Sequence, residues 1–146
     1  MEKLSSMDHL QNEKNYGTLI VQTTSASEAI PIRGASVIVR LARENGESDL
    51  FRILTTDESG LTSPIRIETP APAESLSPGG KKPYSEISTE VTAEGYYSVV
   101  NTGIPIYPGI TSIQPVRMIP IPTRENGTPF PPGTVVINEG QDLPDL

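Results

Sequence analysis

Three features of the sequence predict an all-β fold, an antiparallel Greek-key β-sandwich of about seven strands. Short runs rich in Val, Ile and Thr recur along residues 17–122, and in several of them apolar and polar side chains alternate. Turn-forming clusters such as 43–46 and 57–60 separate these runs. No apolar spacing in this region is typical of an amphipathic helix. Strands that each bury one face are most simply accommodated by two sheets packed face to face.

Each predicted strand has a local signal. The run 84–95 alternates most regularly, with Ile87 and Val91 on the face predicted to be buried and acidic residues facing water. Pro64 predicts an edge position for 61–68, because proline has no backbone N–H to donate to a neighbouring strand. The predicted strands are 17–24, 35–42, 49–56, 61–68, 84–95, 96–101 and 110–122, with a hairpin turn at Glu94-Gly95.

Changes of composition divide the chain into three segments. Residues 1–16 are a polar leader that we expect to be flexible, with a short helix as the open alternative. The sandwich domain is predicted over 17–122 and contains a long Pro-rich loop at 69–83. Residues 123–146 form an acidic Pro-rich tail, in which 134–138 is predicted either as an extra edge strand or as disordered.

The composition excludes several kinds of catalytic and metal site. The absence of Cys excludes disulfides, thiolate metal sites and a thiol nucleophile, and His9 is the single histidine. Successive acids Glu86, Glu90 and Glu94 on one strand face lie about 13–14 Å apart by strand rise. Glycosidase carboxyl groups lie about 5–9.5 Å apart, so these glutamates are expected to form a solvated face. We therefore predict no catalytic residue, no metal site, no cofactor and no enzyme activity.

The charge pattern restricts the partners. The net charge is −7, and no clustered basic face is visible, which argues against a nucleic-acid partner. No apolar run approaches the roughly 18 residues that a membrane span needs, and the N-terminal segment lacks the apolar core of a secretory signal. A cytoplasmic location without a membrane span is the expectation.

Three local motifs follow one another in the chain and carry a family resemblance. They are PIRGASVIV (31–39), TTDESGLT (55–62) and VTAEGYYSV (91–99). In this order they resemble the carboxypeptidase regulatory-like domains, which are transthyretin-like or prealbumin-like β-sandwiches. The resemblance implies that the motif residues serve the scaffold. Asp57 is expected to cap its own turn and Gly60 to adopt a left-handed conformation.

A second resemblance is carried by the segment from 81 to 120, KKPYSEISTEVTAEGYYSVVNTGIPIYPGITSIQPVRMIP. Extended over 17–122, the chain resembles the non-catalytic domain of clostridial spore cortex-lytic enzymes and of related Firmicute proteins. The resemblance implies an accessory or interaction module of bacterial origin that is associated with the spore or the cell envelope.

Two binding functions remain open beside this scaffold. One is recognition of a protein partner by the loops 25–33, 69–83 and 103–109, since the ends of sandwiches commonly carry recognition loops. The other is binding of a carbohydrate or cell-wall component on exposed aromatic faces, with candidates Tyr84, Tyr96, Tyr97, Tyr107 and Phe130. The oligomeric state is left open. The predicted interaction surface comprises Tyr84, Tyr97, Tyr107, Lys81 and Lys82.

Overall fold

A computed structural model describes residues 14–71 and 82–140, and these residues form eight β-strands and no helix. The predicted all-β sandwich is confirmed. The described part of the chain therefore offers no helix with the length and apolar character needed to cross a membrane. The strands are β1 (Asn15–Ser25), β2 (Ser36–Ala42), β3 (Ser48–Thr55), β4 (Ile65–Thr69), β5 (Ser85–Thr92), β6 (Ser98–Ile106), β7 (Thr111–Met118) and β8 (Thr134–Asn138).

The strands form two sheets, one of three strands in the order β4-β1-β7 and one of five in the order β3-β2-β5-β6-β8. Hairpins join β2 to β3 and β5 to β6, and every other connection passes from one sheet to the other. Four of the six strand pairings are antiparallel. Connections that pass between the two sheets in this way are typical of a β-sandwich.

The prediction of an antiparallel arrangement is wrong for two of the strand pairs. β1 runs parallel to β7, and β6 runs parallel to β8. Each parallel partner is reached by a long connection through the other sheet, which permits a direction that a tight hairpin cannot give. The strand count is eight rather than about seven, because residues 134–138 pair with β6 from Ser98↔Thr134 to Thr102↔Asn138.

The core lies between the two sheets and follows the alternation predicted from the sequence. Ile87 and Val91 of β5 are completely buried, as are Val37 and Val39 of β2. Leu41, at the end of β2, is only partly covered and packs against the margin of the core. The buried apolar residues are Leu19, Val21, Ala35, Val37, Val39, Ile65, Ile67, Ile87, Val91, Val99, Ile104, Ile106, Val116 and Met118.

Strand β6 differs from its predicted extent of 96–101. It begins at Ser98 and continues to Ile106, through residues that were expected to form a loop. Pro105 is tolerated because β8 pairs only as far as Thr102, so beyond this point one edge of β6 is free of ladder hydrogen bonds. Ile104 and Ile106 consequently reach the core.

The turn at 57–60 shows how the motif residues support the scaffold. The Asp57 carboxylate oxygen Oδ1 accepts hydrogen bonds from the Ser59 and Leu61 amides at 2.8 and 3.0 Å. Gly60 has a φ of 75°, which favours glycine, and its carbonyl accepts the Thr23 amide at 2.7 Å. Both expectations for this turn are confirmed, and the turn is thereby fastened to β1.

Candidate interaction cleft

One end of the sandwich brings together the β2–β3 turn, the end of β4, the beginning of β5 and the end of β6. The register makes these ends level, because Leu41 lies opposite Ile87 and Ser85 lies opposite Ile106. An open cleft of about 650 Å³ lies among them. We refer to it as the end cleft, lined among others by Leu41, Arg43, Glu44, Glu68, Tyr84 and Glu86.

The lining of the end cleft combines an apolar part with charges of both signs. Leu41, Ala42 and Pro70 supply the apolar part. The charged residues of the lining are three glutamates, Glu44, Glu68 and Glu86, and two cations, Arg43 and Lys82. A mixed lining of this kind suits a ligand that carries both an apolar and a polar group.

Two tyrosines and a lysine form an aromatic cluster beside the end cleft. The ring centroids of Tyr84 and Tyr107 are 5.3 Å apart and their planes are inclined by 56°, a favourable tilted contact. Lys82 Nζ lies 5.7 Å from the centroid of the Tyr84 ring and 3.7 Å from Glu86 Oε1. Tyr107 is 38% exposed, so an aromatic surface remains available to a ligand.

The position of Tyr107 depends on β1. The Gly109 amide donates to Tyr16 O at 2.8 Å, and the Thr18 amide donates to Ile110 O at 2.9 Å. Between these bonds lies Gly17, where a β-carbon would overlap the carbonyl oxygen of Tyr107. The absence of a side chain at Gly17 therefore lets the 107–110 turn lie directly on β1.

The β2–β3 turn at the rim of the end cleft is held by an arginine fork. Arg43 Nε and Nη2 donate to the two carboxylate oxygens of Asp49, each at 2.6 Å, and Glu47 lies 3.7 Å from Arg43 Nη1. Hydrogen bonding to Asp49 and its charge raise the pKa of Arg43. The fork fixes the hairpin end that carries Glu44.

The opposite wall of the end cleft joins strands from different sheets. The Ser85 hydroxyl donates to the Glu68 carbonyl at 2.7 Å, which ties the start of β5 to β4. The Glu68 carboxylate lies 3.6 Å from Lys14 Nζ. This wall is therefore formed by residues at the start of β5 and the end of β4, joined by a hydrogen bond between the two sheets.

The structure brings together three of the five residues predicted as an interaction surface. Tyr84, Tyr107 and Lys82 form the aromatic cluster, and Lys81 lies outside the described residues. Tyr97 is half-buried at the other end of the sandwich, beside Gly133. The length of β6 separates it from Tyr107 by about 30 Å at a strand rise of about 3.3 Å per residue, so Tyr97 does not belong to this surface.

The remaining carbohydrate candidates also lie away from the aromatic cluster. Tyr96 packs against the margin of the core. Phe130 is 42% exposed, and the Arg124 guanidinium lies 5.0 Å above its ring. Of the loops proposed for recognition, 25–33 lies at the far end of the sandwich, 103–106 belongs to β6, and 72–81 of the long loop lies outside the described residues.

The charged residues of the end cleft were not predicted as site residues. Arg43 and Glu44 lie in a segment that the sequence identifies only as a turn, and Glu86 was assigned to a solvated face. Their proximity follows from strand register, which depends on how several strands pair and is not visible within one segment of the sequence. Within residues 14–71 and 82–140, no group of three His, Cys, Asp or Glu side chains is placed to hold a metal ion.

Comparison with known proteins identifies similar folds and does not identify a function. No protein-family model and no curated protein matches the chain. Among solved structures, catechol 1,2-dioxygenase from Acinetobacter sp. ADP1 is similar over 84% of this chain and 59% of its own, with 14% identity and a TM-score of 0.52. The TIE protein of Bacillus anthracis is similar over 73% of this chain and 17% of its own, with 17% identity and a TM-score of 0.47.

A minor pilin of Streptococcus agalactiae is similar over 77% of this chain and 48% of its own, with 18% identity and a TM-score of 0.43. This chain thus spans 17%, 59% and 48% of the three proteins, which is less than two thirds of each. At these identities the likeness concerns the fold alone. The dioxygenase match supports the β-sandwich architecture and carries no inference about activity.

Proposed function

We propose that this chain is a non-catalytic β-sandwich module that binds a protein partner in the end cleft. The observation that carries the proposal is the position of the cleft. An aromatic pair beside the cleft, an apolar part of its lining and charges of both signs lie together at one end of the sandwich. Recognition sites on sandwiches commonly use such ends, where a rigid scaffold presents variable side chains.

The lining indicates the chemistry of the partner segment. Arg43 is engaged by Asp49 and Lys82 faces Glu86, so the cations of the cleft are already balanced by carboxylates. Glu44 forms no salt bridge with another described residue. A peptide with a cationic side chain beside an apolar or aromatic one would complement Glu44 and Leu41 together.

The test begins with peptides selected from a random display library on the immobilised protein. A selected peptide is titrated against the labelled protein, and backbone amide shifts are followed by NMR. We expect the shifts to cluster at residues 41–46 and 84–86 and at Tyr107. Tyr107→Ala should weaken binding by about tenfold, the effect of losing an exposed aromatic contact.

Phe130→Ala is the matched control, because Phe130 has a similar exposed fraction at the other end of the sandwich (42% against 38% for Tyr107). This variant should bind as the wild type does. The proposal fails if the shifts fall elsewhere, or if the two variants weaken binding equally.

Carbohydrate or peptidoglycan binding is the second candidate, favoured by one observation. Tyr107 presents an exposed ring beside Tyr84, and an aromatic face next to polar groups is what sugar binding requires. In a sedimentation assay with purified peptidoglycan, the wild type and Phe130→Ala should be retained and Tyr107→Ala should be released. No retention of the wild type excludes this candidate.

We also propose that the module works at the bacterial spore or cell envelope. The support is the resemblance of 17–122 to the non-catalytic domain of clostridial spore cortex-lytic enzymes. Immunodetection in fractionated spores and vegetative cells of the source organism would test it. Detection only in the cytosol of vegetative cells would contradict it.

A further inference from the structure

One row of side chains crosses all five strands on the outer face of the larger sheet. The ladder places Ile53 opposite Ile38, Ile38 opposite Glu90, Glu90 opposite Val100, and Val100 opposite Val136. The chain neighbours of the three central residues are buried inside the sandwich, so strand alternation turns the row outward. Four of its five residues are aliphatic, on a face that the sequence predicts to be solvated.

The ends of this row are strongly exposed. Ile53 is 63% exposed on β3, and Val136 is 67% exposed on β8. Leu50, opposite Arg40 in the next row, adds a third side chain that is 61% exposed. Scattered apolar residues are ordinary on protein surfaces, but an apolar band that reaches four of five adjacent strands indicates an interaction surface.

The charge on this face is balanced internally. Glu90 is the one ionised residue of the row, and its Oε1 lies 3.1 Å from Arg40 Nη1. Both side chains are about one-third exposed, at 32% and 35%. The apolar band is therefore interrupted by an ion pair without net charge, in a chain whose net charge is −7.

We propose that two copies of this chain associate through this outer face, packing their five-stranded sheets against each other. In a face-to-face dimer the two-fold axis lies in the plane between the two sheets, and an axis that passes between Arg40 and Glu90 would place Arg40 of one copy near Glu90 of the other, since an isologous interface pairs each residue reciprocally. Two chains of charge −7 repel each other, and a neutral face minimises this repulsion. A strongly charged partner would meet no excess of opposite charge on this face.

The dimensions of the face give the size of the contact between the two copies. Five strands spaced about 4.8 Å apart span about 20 Å, and seven residues extend about 23 Å along a strand. The flat area is then about 450 Å² per copy, or about 900 Å² in total, close to the ~1,000 Å² at which specific interfaces begin. A contact of this size belongs to the weak and transient class, so we expect the dimer to form only at high protein concentration. The end cleft lies at the end of the sandwich and stays open in this arrangement.

Sedimentation equilibrium over about 5 to 500 µM would test the proposal. The wild-type mass should rise from 15.7 kDa toward twice that value. Ile53→Lys and Val136→Lys should each weaken association by about tenfold or more, since both place a charge on the apolar band. Ile113→Lys is the matched control, because Ile113 is a 59% exposed isoleucine on β7 of the other sheet. It should associate as the wild type does.

Several outcomes would overturn the proposal. The wild type could remain at 15.7 kDa at the highest concentration, or Ile113→Lys could reduce association as much as Ile53→Lys. An effect of Ile53→Lys without one of Val136→Lys would assign the contact to the free edge of β3 instead of the face. Masses beyond the dimer would indicate open head-to-tail pairing of β3 with β8. Circular dichroism of each variant establishes that the sandwich is folded, and Tyr107→Ala should dimerise normally.

Discussion

Thr89 of β5 and Asn101 of β6 lie directly opposite each other in the ladder, and both side chains face the core. Thr89 Oγ1 and Asn101 Oδ1 are buried and form no hydrogen bond with another described residue. The two strands thus bring two unsatisfied polar atoms together inside an otherwise apolar sheet face. An unpaired buried polar group costs free energy, so this pair is a weak point of the core.

Replacing Thr89 by valine should stabilise the protein. The substitution keeps the shape of the side chain and removes the unpaired hydroxyl, so we expect the free energy of unfolding to rise by about 0.5–1 kcal/mol. Thr23→Val is the matched control at another fully buried threonine, whose hydroxyl donates to Ile32 O at 2.9 Å. That variant should lose about 1–2 kcal/mol. Urea unfolding measures both, and a loss on Thr89→Val would show that its hydroxyl has a partner.

Glu139 should stabilise the attachment of β8 through the same asparagine. Asn101 Nδ2 donates to Glu139 Oε1 at 2.8 Å, and Asn101 is only 2% exposed. Glu139→Ala leaves the buried amide without its acceptor, which should cost about 1–3 kcal/mol and speed amide exchange over 134–138. Glu139→Gln keeps an acceptor oxygen and should lose less. Equal exchange in all three proteins would contradict this role.

Particular elements show how far the sequence determines the fold. The two-residue period of 84–95 and 35–42 predicts the buried faces, because a strand position decides whether a side chain points inward. The same period carries no information about strand direction, which is why the parallel pairs β1–β7 and β6–β8 were missed. Pro105 suggests a loop until β8 is known to stop at Thr102.

The sequence likewise identifies some residues of the candidate sites and misses others. Tyr84, Tyr107 and Lys82 stand out by residue type, and the structure brings them together. The Arg43–Asp49 fork and the outer row from Ile53 to Val136 depend on a bulge and on the register of five strands. Register is a property of paired strands, and no single segment of sequence specifies it.

The Arg43–Asp49 fork should affect binding in the end cleft more than it affects stability. The raised pKa of Arg43 means that the contribution of the pair is fully present below the unfolded pKa and is lost only as pH rises through the still higher folded pKa. The difference in urea midpoint between wild type and Arg43→Gln should therefore be small, and it should be equal at about pH 6 and about pH 9.

The affinity for a peptide selected on the end cleft should fall in Arg43→Gln, because the turn that carries Glu44 is then no longer held by the hydrogen bonds from Arg43 to Asp49. A large difference between the two pH values would contradict this assignment.

Gly17→Ala should be among the more damaging single-methyl changes in the sandwich. A β-carbon at Gly17 would overlap the Tyr107 carbonyl and Ile106 Cγ2, and the first of these is backbone that can move only with the 107–110 turn. We expect a loss of about 1–3 kcal/mol in the free energy of unfolding, the usual cost of forcing a methyl group into a filled site.

Gly133→Ala is the matched control, because its β-carbon would meet only the Tyr97 ring, at 3.4 Å. This variant should stay within about 0.5 kcal/mol of the wild type. Since the turn also positions Tyr107, Gly17→Ala should change the NMR shifts of the Tyr84 and Tyr107 rings while Gly133→Ala leaves them in place. Unchanged stability and ring shifts in Gly17→Ala would show that the 107–110 turn does not rest on β1.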